Sequence, residues 1–145
     1  MHKRTLPRHL TLACLAAALA LAVAPSARGQ EAIAVELNKM DQRDADCRLA
    51  FLIRNAGSDR FVTFKSELVL FGDDGVIDRR FTGDIAPLRP AKTSVVSFDL
   101  KDLKCTNVGQ VLLNDIVDCQ DVAGARTDCV DAVAVSSRAG IPMVK

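Results

Sequence analysis

The sequence predicts an all-β fold: an immunoglobulin-like antiparallel sandwich of about seven strands, stapled by two disulfides. Three observations carry this. Apolar and polar residues alternate with period two over short runs, as in strands with one buried face. Turn-forming residues recur at spacings of roughly ten residues, as in sandwiches. Four cysteines, Cys47, Cys105, Cys119 and Cys129, lie in the part of the chain expected to be exported. An even number in an exported domain reads as a disulfide framework.

Export is read from the first residues. Lys3, Arg4 and Arg8 precede an apolar run from Leu10 to Ala24, and small residues follow at Ala27 and Gly29. This is the pattern of a secretory signal peptide, with a run too short for a comfortable membrane span. Cleavage after Gly29 is expected to leave residues 30–145 as one domain without stable membrane insertion. Lys3-Arg4-Thr5-Leu6 resembles a relaxed twin-arginine export signal, with the ordinary secretory route as the alternative. Cys14 sits at the start of the apolar run, the wrong end for a lipid anchor.

Removal of the leader changes the charge. Four of nineteen basic residues go and none of eighteen acids, which leaves 15 basic residues against 18 acidic ones and a net charge of −3. The basic balance expected of a nucleic-acid binder is absent. His2 and His9 also leave, so residues 30–145 contain no histidine.

The strands follow in order, at about residues 32–38, 47–55, 62–71, 75–85, 93–100, 108–118 and 129–136. The first turns Ile33, Val35 and Leu37 to one side. Residues 38–46, with Asp41, Asp44 and Asp46, read as a polar loop. The second alternates Cys47, Leu49, Phe51 and Ile53 against Arg48 and Arg54, and ends at Asn55-Ala56-Gly57-Ser58. The third and fourth form a hairpin around which the rest is arranged. Val62, Phe64, Leu68 and Leu70 share a parity, and Asp73-Asp74-Gly75 makes the turn, Gly accepting positive φ without steric cost. Ile77, Phe81 and Ile85 line one face of the fourth strand, but Arg79 shares their parity. A charge pointing inward marks an edge strand protected against unwanted pairing.

A Leu88–Lys92 turn containing Pro90 leads to the fifth strand, where Val96, Phe98 and Leu100 alternate with Ser97 and Asp99. The sixth, with Val111, Leu113 and Val117, is the least regular. Ala123-Gly124-Ala125 is a loop tip, the seventh strand uses Val133 and Val135, and residues 136–145 read as a loose tail.

Strand order ranks the three possible disulfide pairings. In an up-and-down path the second and sixth strands run the same way, so Cys47 and Cys105 lie at one end of the domain. Cys119 and Cys129 face each other at the other end. Cys47–Cys105 and Cys119–Cys129 are therefore expected. Without a Cys-x2-Cys pair or histidine, the four thiols match no usual zinc spacing.

Asn55-Ala56-Gly57, Leu68-Val69-Leu70-Phe71, Asp74-Gly75-Val76-Ile77 and Leu88-Arg89-Pro90-Ala91-Lys92-Thr93 recur in this order in a known pattern. It resembles the extracytoplasmic immunoglobulin-like modules of the FxLYD type, with Phe71-Gly72 where that signature has Tyr-Asp. The chain is also similar, over nearly all of residues 30–145, to small bacterial exported proteins labelled as twin-arginine signal sequence domain proteins. They share its cysteine pattern and a run like Val111-Leu112-Leu113-Asn114. The resemblance implies a fold and export and no activity.

The composition excludes most catalytic chemistry. Without histidine there is no Ser-His-Asp or Cys-His nucleophile. No Gly-x-Ser-x-Gly, phosphate-binding loop, dinucleotide fingerprint or Cys-x-x-Cys occurs. No catalytic residue and no cofactor is expected. A carboxylate pair for glycoside cleavage would need a sugar cleft, and the chain has no Trp or Tyr to line one. Asp118, Asp121 and Asp128 could hold Ca²⁺, but lack the Asp-x-Asp-x-Asp-Gly spacing, so a solvated acidic loop is the plainer reading. A sandwich does offer edges. The stretch Val76, Asp78, Arg80 and Thr82, or the seventh strand, could accept an extended segment of an envelope protein by strand addition, or be merely protected.

Overall fold

A computed structural model describes residues 32–145. The expected leader and Cys14 lie outside them. Two sheets face each other, and no α-helix occurs among the described residues. The strands are β1 (Ile33–Arg43), β2 (Asp46–Asn55), β3 (Phe61–Gly72), β4 (Ile77–Asp84), β5 (Lys92–Leu100), β6 (Val108–Asp121), β7 (Gly124–Ala125), β8 (Val133–Ser137) and β9 (Met143–Val144), with one 3-10 turn at Cys105–Asn107. One sheet has the order β5-β2-β1-β8. The other runs β4-β3-β6-β7, with β9 also on β6. The sandwich is thus the expected one, with nine strands, two of them only two residues long.

The path is not simple up-and-down. The chain crosses between sheets after β2, β4, β5, β7 and β8. Two pairings are parallel, β1 with β8 and β6 with β9, while the others are antiparallel. The starts of β2 and β6 still share an end, and both disulfides form as expected. Cys47 and Cys105 have Cα atoms 5.0 Å apart, and Cys119 and Cys129 6.5 Å.

Several boundaries move, each for a local reason. The loop expected at 38–46 is mostly strand. A bulge between Leu37 and Lys39 flips the parity, which hides the second half of β1 from a period-two pattern. Met40 then packs on the core, and the turn comes only at Asp44, whose φ is 49°. A bulge between Phe61 and Thr63 turns Phe61 inward and leaves Val62 50% exposed. β6 slips register against β3 at several points, which explains its irregular pattern. The seventh expected strand starts at Val133 rather than Cys129.

The tail is not loose. Arg138 N–H donates to Leu37 O (2.9 Å), Val111 N–H donates to Pro142 O (3.1 Å), and Met143 is buried against the core. The core itself comes from the inner faces of both sheets, with Phe51, Phe64, Ile33, Leu37, Leu49 and Ile53 fully enclosed. Its buried polar groups are satisfied. Asn55 donates from Nδ2 to Asp59 O (2.8 Å) and accepts from Gly57 N–H at Oδ1 (3.0 Å), which makes the Asn55-Ala56-Gly57 turn. Ser66 Oγ donates to Gly83 O (2.9 Å).

Candidate functional site: the open side of the sandwich

The two sides of the sandwich are finished differently. On one side β8 ends the first sheet, with β1 as its single neighbour, so the seventh strand is an edge as expected, while β9 adds to β6 of the second sheet and the tail passes from one sheet to the other. On the other, β4 ends one sheet and β5 ends the other, and each pairs with a single neighbour, β3 and β2. These two edges lie together. Phe98 of β5 packs against Gly83 of β4, and the Phe81 and Phe98 ring centroids are 5.7 Å apart. Arg79 crosses the same gap: its Nη1 donates to Lys101 O (2.7 Å), while its Nε meets Asp78 Oδ2 (2.7 Å). The inward parity of Arg79 is therefore used to bridge the mouth of the sandwich, on the edge strand it was expected to mark.

Which backbone groups on β4 are free follows from one bond. Ile85 N–H donates to Phe64 O (3.1 Å), so residues of odd number face β3 in the ladder. Alternation turns the N–H and C=O of Arg80, Thr82 and Asp84 outward, along the unpaired edge. Their side chains are exposed on the outer face of the sheet. Of the expected edge residues, Asp78, Arg80 and Thr82 lie on β4. Val76 does not belong with them. Its N–H is held by Asp74 Oδ1 (2.9 Å) and its carbonyl by Gly72 N–H (2.8 Å), so the hairpin turn consumes both groups. Ile77 was expected to face the core and is instead 55% exposed.

Shallow clefts flank the open side. One of about 450 Å³ lies between the β3–β4 turn and the 3-10 turn, lined by Asp74, Val76, Ile77, Asp78 and Asn107. Another, of about 390 Å³, lies where β4 gives way to β5, lined by Pro87, Arg89, Lys92, Val95 and Val96. Val95, on the outer face of β5, is 67% exposed. That β5 is an edge was not foreseen. Its alternation is regular, but alternation does not say which strand ends a sheet.

At the opposite end the acidic loop has an organiser that was not foreseen either. Arg126 reaches Asp128 (2.7 Å), Asp121 (3.0 Å) and Asp59 (3.1 Å), and lies 6.0 Å from the centre of the Phe61 ring. Asp121 Oδ1 also accepts from Ala123 and Gly124 N–H, which ties the β6–β7 turn. Hydrogen bonds from Arg126 hold the Asp121 and Asp128 carboxyls below the usual carboxylate value, and those carboxylates raise Arg126 in return. Asp118 stands apart, accepting from Gln120 Nε2 (3.1 Å). A guanidinium occupies the place a cation would take, and no group of acidic or cysteine side chains with the geometry of a metal site occurs among the described residues. The signal available in the sequence was an arginine between Asp121 and Asp128 in a short loop.

Fold and edges together describe a disulfide-stapled β-sandwich with one side crossed by the tail and one open side. No family model matches the chain, and no curated protein is similar to it in sequence. Among solved structures it is similar in fold to IrmA from Escherichia coli, with a TM-score of 0.51 and 11% identity over 71% of this chain and 89% of that one.

Proposed function

We propose that this protein is an exported, non-enzymatic binding module of the periplasm that docks on an envelope protein, a segment of which adds to the β4 edge as an extra strand. The observation that carries the reading is the row of outward N–H and C=O groups at Arg80, Thr82 and Asp84, on the side of the sandwich that the tail leaves open. Strand addition draws affinity from such groups and selectivity from the side chains between them. Two disulfides suit an oxidising compartment. No helix among the described residues is long and apolar enough to cross a membrane. The test is crosslinking of tagged protein in living cells, followed by mass spectrometry of the captured material. One dominant envelope protein, lost when Thr82 is replaced by proline, supports the reading. Capture unaffected by T82P, or nothing above background, overturns it.

A further inference from the structure

We infer that the β4 edge is self-complementary, and that the first strand it accepts is β4 of a second copy of this chain, related by a two-fold axis through Thr82. The inference rests on the reading of β4 as an acceptor strand and adds the identity of one occupant.

The register is selected by charge. In an antiparallel pair about a two-fold axis, residues equidistant from the axis face each other. With the axis at Arg79, that guanidinium would meet its own copy, and with the axis at Arg80 the same holds there. With the axis at Phe81, Asp78 would oppose Asp84 of the second copy. Like charges directly opposite destabilise a sheet. With the axis at Gly83, no like charges meet, but Arg80 would face Ala86, whose N–H is already given to Asp84, and no ion pair forms. With the axis at Thr82, Arg80 opposes Asp84 of the second copy, and Asp84 opposes Arg80 of the second copy.

The hydrogen bonds agree with that register. Arg80, Thr82 and Asp84 are the residues whose backbone groups turn outward, given the Ile85–Phe64 bond. Each of the three pairs so formed exchanges two bonds, about six in all. Asp84 Oδ1 already accepts from Phe64 and Ala86 N–H, which fixes the carboxylate and leaves Oδ2 for the neighbour. Arg80 is 58% exposed and held only by a 3.4 Å approach to Glu67, so it is free to turn. On the inner face Phe81 comes opposite Gly83 of the second copy, and no two bulky groups collide. Beyond Asp84 the ladder stops, because Ala86 N–H is spent on Asp84 and Pro87 has none. The product is a sheet running β6-β3-β4 and on through β4-β3-β6 of the second copy. β5 and its exposed Val95 stay uncovered, and an envelope segment on β4 would have to displace the second copy, since the strand has one free edge.

Sedimentation of the purified, disulfide-intact protein over a concentration series tests this. A monomer–dimer equilibrium is expected, weakened on the order of tenfold by Arg80→Asp, which turns two favourable cross-strand pairs into two repulsive ones. T82C provides a second measurement independent of affinity. Hydrogen-bonded antiparallel pairs lie about 5.5 Å apart between Cα atoms, within disulfide range. Mild oxidation should therefore link T82C into covalent dimers far faster than a cysteine at Asn38. A protein that stays monomeric, with T82C no faster than N38C, overturns the self-pairing. If T82P nevertheless abolishes capture of an envelope protein in cells, the acceptor-strand reading survives; if capture too is insensitive to β4, both fall.

Discussion

Phe98 of β5 fills the space that a side chain on Gly83 of β4 would need: a Cβ at position 83 would overlap the Phe98 ring. That contact sets how closely the two edge strands approach at the open side, and it makes Gly83 a packing residue. Gly83→Ala should destabilise the fold by about 1–3 kcal/mol, the usual cost of overpacking a filled site. Urea unfolding of G83A measures it. A paired Gly83→Ala, Phe98→Leu variant should recover part of the loss.

The two disulfides should differ in weight. Cys47–Cys105 spans 58 residues and Cys119–Cys129 spans 10. Chain-entropy reasoning assigns about 4 kcal/mol to the first and about 3 kcal/mol to the second. Replacing each pair with alanines and comparing denaturant midpoints checks the order. Equal losses would show that residual structure in the unfolded chain outweighs loop length.

The tail is predicted to hold the closed side. Met143 is 7% exposed and packs on the core beside β6. Met143→Ala should cost about 2–3 kcal/mol, within the range for large-to-small changes in cores. A chain stopped before Ile141 should lose more, because it also frees the edge of β6. Thermal unfolding of both variants would reveal a loose tail by the absence of any change.

The Arg126 cluster gives the protein an acid limit. Asp121 and Asp128 have folded-state values below the ordinary 3.8 because Arg126 donates to both. Carboxyls depressed in the folded state bind protons more tightly when unfolded. Their contribution is thus fully present above the unfolded value and is lost as pH falls below about 3.8 through the folded values. Replacing Arg126 with methionine should flatten the fall in stability with acid in that window and lower stability near neutrality. An unchanged acid profile would mean that the cluster is electrostatically idle.

Much of the fold is legible in the chain because the residues involved obey local rules. The alternation of Cys47 to Ile53 and of Val96 to Leu100 is undisturbed, so β2 and β5 can be read directly. Asp74-Gly75, with φ 77° at the glycine, announces the hairpin. The pattern misleads where one residue changes the parity. The bulge at Asn38 conceals half of β1, and the one at Val62 exchanges that residue for Phe61 in the core. It is silent where a strand is too short to have a period, as at Met143–Val144, which is held by the closed side of the sandwich rather than by its own sequence. The candidate site is half visible. Arg79 identifies β4 as an edge from sequence alone, but the packing that places β4 beside β5 is long-range. Arg126 could not be assigned to three carboxylates before the loops were folded together.

The most direct test is a photo-crosslinking side chain placed at Thr82 in living cells, compared with the same probe at Ala34, which is exposed on β1 and paired on both sides, with β2 and β8. One discrete adduct is predicted at Thr82, to a second copy or to an envelope protein, and none at Ala34. No adduct at Thr82, or equal labelling at both positions, would contradict the reading of β4 as an acceptor strand.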